Sequence, residues 1–150
     1  MSIIGAQADV EAFHKAHGTI DPSYPQIPHP QTTQLRIDLI TEEFDELIHE
    51  LVQMQHPQDL SKIKELGMLA KAAGEMADLV YVILGTASAL GIDMAPVWEE
   101  LQRANMAKAG GPLRADGKHL KPEGWKAPDF VAIIREQVAE HDFADRSIKG

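Results

Sequence analysis

Cysteine is absent from this chain of 150 residues, which excludes disulfides and thiolate-held metals and fits a reducing compartment. Aromatic residues are scarce, four Phe, two Tyr and two Trp, so any core must be modest and largely aliphatic. Basic residues are outnumbered, 14 against 23 acidic ones, for a formal charge of −9. A general nucleic-acid binder would carry the opposite sign. The longest apolar run, Leu79 to Leu90, is interrupted by Gly85, Thr86 and Ser88 and is shorter than the roughly 20 residues that span a bilayer. The opening MSIIGAQADVEAFHK lacks the basic and apolar regions of a signal peptide. A cytoplasmic protein with neither nucleic acid nor membrane as partner is the expectation.

Strand-type alternation is nearly missing as well, and helical periodicity takes its place. A first helix is expected over Ala8 to His17, stopped by Gly18. Four prolines between Asp21 and Pro30 dictate an extended connector. A second helix, Thr32 to Gln55, carries the apolar stripe Ile37, Ile40, Phe44, Leu47, Ile48, Leu51 and Met54. After His56-Pro57, Asp59 or Ser61 can cap a third helix reaching Leu90, in which Gly67 and Gly74 leave room for a break. A fourth helix covers Met94 to Lys108 and a last one Asp129 to Glu140, with a frayed polar tail beyond. The fold class is all-α, a bundle of four to five helices. One domain, 1–150, is expected, with its core at about 30–110 and a C-terminal loop and helix at 111–141.

Acidic residues stand where apolar ones would be expected. Glu43 and Glu46 are three apart on the second helix, and Glu43 projects about 20° outside its apolar stripe. Glu75 and Asp78 repeat the spacing on the third helix, among Met68, Ala72, Leu79, Val82 and Thr86. A buried carboxylate must be paired, protonated or metal-bound, and only Arg36 and Lys71 come near as partners. Two one-turn carboxylate pairs can instead surround a hard divalent cation, Mg²⁺ or else Mn²⁺. Glu42, Asp45 and Glu50 fit a solvated face equally well. Glu46-Leu-Ile-His49 matches the Glu-x-x-His of di-iron bundles, but the third helix has Asp78 where histidine belongs. His14 and His17 carry no assigned chemistry.

The pattern Glu42-Glu43-x-x-Glu46, 28 residues, then Glu75-x-x-Asp78-Leu-Val-Tyr81 resembles the MazG-like all-α nucleoside triphosphate pyrophosphohydrolases. That superfamily also contains phosphoribosyl-ATP pyrophosphohydrolase and the dimeric dUTPases. The run Asn105-Met-Ala-Lys108-Ala-Gly-Gly-Pro112 and then Asp116-Gly-Lys118-His-Leu-Lys121-Pro-Glu-Gly124-Trp125 resembles its deoxynucleotide branch. The resemblance implies magnesium held by Glu43, Glu46, Glu75 and Asp78, with Glu42 orienting or deprotonating the attacking water. It implies substrate contacts from Asn105 and Lys108, and a loop bearing Lys118, Lys121 and Trp125 that closes over phosphates or base. The spacing between the acidic motifs is long for the family.

The expected reaction is therefore hydrolysis of a nucleoside triphosphate, dUTP favoured, to the monophosphate and pyrophosphate. Hydrolysis of another nucleotide such as phosphoribosyl-ATP remains an alternative, as does a helical protein that senses nucleotide or metal without turnover. Val80, Val82, Ile83 and Leu84 run almost all round the third helix, which calls for cover on every side. A homodimer or homotetramer would supply it, in keeping with the family.

Overall fold

The structure is a computed structural model and describes residues 3–55, 61–109 and 111–148. Among them are five helices and no strand: α1 (Ile3–Ala16), α2 (Pro30–Gln53), α3 (Lys62–Ala89), α4 (Met94–Met106) and α5 (Phe130–Ile148). The all-α expectation holds. α1 starts five residues earlier than the apolar pattern suggested, and α5 continues through the segment expected to fray. α3 runs unbroken through Gly67 and Gly74, so the helix-weakening cost of two glycines does not break it.

Helix boundaries follow from local chemistry. Pro30 sits in the first turn of α2, where its missing N–H costs nothing. Ser61 occupies the N-cap of α3 without a side-chain cap bond; Asp59, the other candidate, lies outside the described residues. At the far end of α3 the backbone reverses at Gly91, with φ +69°. The Gly91 N–H returns to Ser88 O at 2.9 Å and the Ile92 N–H to Ala87 O at 2.9 Å, a Schellman ending. Asp93 then caps α4, its side chain accepting from the Ala95 N–H at 2.8 Å.

α2 and α3 form an antiparallel hairpin and pack more closely on each other than any other pair. α1 lies along α3, and α4 touches α1 and α5. Two glutamines hold the α3–α4 corner. Gln7 of α1, buried, donates to Ile92 O at 2.8 Å and accepts from the Met94 N–H at 3.0 Å. Gln137 of α5 brackets Asp93, accepting from its N–H and donating to its carbonyl. Neither glutamine carries a sequence signal, since each is explained only by the backbone it meets.

The fully buried apolar set is small: Val10, Ala72, Leu84, Ala87, Ala89 and Ala104. No residue of α2 is buried within the single chain. Val80 and Ile83 are 54% and 43% exposed, so the all-round apolar face of α3 is not enclosed by its own chain. No single described helix is long and apolar enough to cross a membrane; α3 and α4 would suffice together but bend by 118°.

Candidate functional site

The α2–α3 hairpin places the acidic residues. As α2 advances, its partners on α3 recede in step: Glu46 meets Glu75, Glu43 meets Asp78 and, two turns away, Arg36 meets Gly85. Spacings of three and seven keep all of these on one seam. Carboxylate oxygens of Glu43, Glu75 and Asp78 lie within 4.8 Å of one another. Glu46 hydrogen-bonds Glu75, and Glu42 contributes repulsion at Glu43.

These groups hold one another in a strained charge state. The Glu43 carboxyl is raised above its ordinary value by desolvation first, then by the charges of Asp78, Glu46 and Glu42. Glu75 is raised by desolvation, by the charge of Glu46 and the hydrogen bond to it, and by Asp78 and Glu43. Among the described residues no lysine or arginine forms an ion pair with any of the four. The set that converges contains no histidine, so His49 is not drawn into it and the di-iron pattern is not formed. An all-oxygen cluster that raises its own pKa values and lacks a cationic partner fits a hard divalent ion.

One expectation needs correcting. Glu75 is half-buried and Asp78 is exposed, as are Glu42 and Glu46. The acids do not sink into a core: Ala72 beside them is buried, but Met76 and Val80 are 47% and 54% exposed. A cavity of about 650 Å³ lies elsewhere, between α1 and the connector, and is lined by Gln7, Glu11, Lys15, Asp21 and Ser88 among others.

Arg36 does not serve the acids either. Its Nη2 lies 3.4 Å from His14 Nε2, while His14 Nδ1 lies 2.7 Å from Asp21. A neutral His14 satisfies both contacts, donating from Nδ1 to Asp21 and accepting at Nε2 from Arg36. A Cβ on Gly85 would come within 3.2 Å of both Arg36 and His14, so this glycine leaves room for a buried polar link between α1, α2 and the connector. Gly85 within an apolar helix was the only visible signal of it.

Four of the expected substrate contacts gather at the end of α4. Lys108 donates to Asn105 Oδ1 at 2.8 Å. The ammonium groups of Lys121 and Lys108 stand 4.3 and 5.5 Å from the centre of the Trp125 ring. Trp125 itself is half-buried and donates from Nε1 to the Ala104 carbonyl at 2.8 Å. Lys118 is not part of this group. It sits in the turn closed by the Leu113–His119 bridge, with its N–H on Asp116 and its carbonyl accepting from Arg114.

Two acidic one-turn pairs facing each other across an antiparallel helical hairpin define a class, the all-α nucleotide pyrophosphohydrolases. Residues 10–105 match the phosphoribosyl-ATP pyrophosphohydrolase family, and the chain belongs to that family. The match takes in both acidic motifs and ends before Lys108 and the loop beyond it. No curated protein matches the chain.

Proposed function

We propose that this enzyme hydrolyses a deoxynucleoside triphosphate, with dUTP the first choice, to the monophosphate and pyrophosphate in a magnesium-dependent reaction in the cytoplasm. The observation that carries the reading is the meeting of Glu43, Glu75 and Asp78 oxygens within 4.8 Å on two facing helices. Glu46 completes the set from beside Glu75. Glu43, Glu46, Glu75 and Asp78 would hold magnesium or manganese, which when bound would offset phosphate charge and acidify water.

The chain's own residues divide the remaining work. Glu42 is exposed next to Glu43, where it can accept the proton of a water attacking the α-phosphorus. The bond to the bridging oxygen breaks in line, and pyrophosphate leaves with its charge offset by Lys108, Lys118 and Lys121. Asn105 offers a donor and an acceptor, a match for a pyrimidine edge. The loop and helix at 111–141 act as the substrate cover of a single domain. A homodimer or homotetramer is the working assembly.

The family match favours a second reading, hydrolysis of phosphoribosyl-ATP. The loop outside that match is what favours a deoxynucleotide instead. Product analysis over a nucleotide panel with magnesium decides between them. We expect dUMP and pyrophosphate at the highest kcat/KM. Preference for phosphoribosyl-ATP would overturn the substrate assignment, and release of orthophosphate would overturn the mechanism.

A further inference from the structure

We propose that Trp125 is a positioning residue that presents Lys108 and Lys121 as a paired receptor for the polyphosphate chain, and does not stack on the base. This rests on the pyrophosphohydrolase reading above. The indole is committed at both its edge and its ring. Its N–H caps a carbonyl in the last turn of α4, Ala104 O at 2.8 Å, among those that a helix end leaves without an intrahelical donor. Ala104 is 1% exposed, so the bond is sheltered and fixes the loop to the helix.

The ring then gathers cations. Lys121 Nζ stands 4.3 Å and Lys108 Nζ 5.5 Å from its centre, both within the range where the ring's quadrupole attracts an ammonium. Two like charges this near one indole repel each other. The ring offsets that repulsion by attracting each ammonium, and Asn105 Oδ1 does so for Lys108 at 2.8 Å. A triphosphate or pyrophosphate anion would relieve it further by taking both. A base stacking on the ring would have to displace the Lys121 ammonium first.

Local backbone supports the same geometry. Gly124 has φ +75°, a left-handed turn that side-chain-bearing residues resist. The Trp125 N–H closes on Pro122 O at 3.1 Å. This turn aims the indole back at α4 and leaves Lys121 just ahead of it in the chain. Lys118 belongs to a separate turn, so its share in offsetting the pyrophosphate charge does not depend on the indole.

Inorganic tripolyphosphate, which has no base, separates the two roles. Its binding is measured by calorimetry at fixed magnesium for the wild type, Trp125→Leu, Trp125→Phe and Lys108→Ala/Lys121→Ala. Circular dichroism serves as the fold control. Trp125→Leu should bind tripolyphosphate about tenfold more weakly, in line with two lost cation–π contacts, and nucleotide KM should rise in the same ratio with kcat largely kept. Adding Trp125→Leu to the double lysine variant should change little more, because the indole acts through those lysines. If Trp125→Leu does not fold, Trp125→Phe, which keeps a ring and loses the N–H, should show the same direction of loss. Unchanged tripolyphosphate binding in the folded tryptophan variant would overturn the proposal, as would an additive effect in the triple variant or no binding by the wild type. A wild type that binds tripolyphosphate but releases pyrophosphate from no nucleotide would sink the functional reading and leave the receptor standing.

Discussion

At the residue scale, the decisive fact is that oxygens of Glu43, Glu75 and Asp78 meet within 4.8 Å, with Glu46 beside Glu75, and that among the described residues no lysine or arginine pairs with them. Glu75 is the most entangled of them, through its hydrogen bond with Glu46 and the charges of Asp78 and Glu43. Replacing it by glutamine removes a charge and keeps the shape. Hydrolysis by Glu75→Gln is expected below about a tenth of the wild-type rate, with an unchanged far-ultraviolet spectrum. The same cluster sets a pH dependence. Glu43 and Glu75 bind protons more tightly folded than unfolded, since both lie above the ordinary value of 4.5. The stability they contribute is therefore fully present below 4.5 and is lost as pH rises through their raised values. Glu100 works in the opposite sense: the Arg103 hydrogen bond holds it down at about 2, so its contribution is lost only on falling below 4.5. Without divalent ions, thermal melting should rise as pH falls from 7 towards 5, and Glu75→Gln should flatten that rise. An equal slope in both proteins would remove Glu75 from the electrostatic cluster.

At the element scale, the site depends on helix register, and register depends on corners. Gly91 ends α3 at φ +69°, and a Cβ there would lie 2.0 Å from the Tyr24 carbonyl. The same corner carries the Gln26 N–H to Leu90 O bond that ties the connector to α3. Gly91→Ala should cost about 2 kcal/mol or more, from left-handed strain plus displacement of the connector. Denaturant unfolding measures it, and a loss under about 0.5 kcal/mol would contradict this account of the corner. The end of α3 at Leu90 was legible in advance, and the three-residue acidic spacing was legible as one face, because both are properties of a single helix. The Gln7 and Gln137 brackets and the His14–Asp21–Arg36 link were not, since each joins different segments of the chain. Burial of Asp78 was misjudged for a related reason. Helical periodicity tells which residues share a face, whereas what covers that face is a matter of tertiary and quaternary packing.

At the scale of the whole molecule, the exposed apolar residues exceed what a lone chain of this size can leave in water at no cost. Phe44, Ile48, Leu51 and Val52 on α2 and Met76, Val80 and Ile83 on α3 are all more than 40% exposed. α2 buries none of its 24 residues, although its stripe has the spacing of a core-facing helix. In the proposed assembly, a second copy of the hairpin would cover these apolar residues. Val80→Asp distinguishes the two states of assembly. In a monomer this substitution lies on the surface and should cost no more than about 0.5 kcal/mol. In a dimer it inserts an unpaired charge into an apolar interface, which should dissociate the assembly and lower helical content together. Sedimentation and circular dichroism over a dilution series into the nanomolar range should show a persistent wild-type dimer or tetramer and a dissociated, less helical Val80→Asp. A fully helical wild-type monomer, with Val80→Asp indistinguishable from it, would mean that the hairpin tolerates its exposed face and that the carboxylate site belongs to one chain alone.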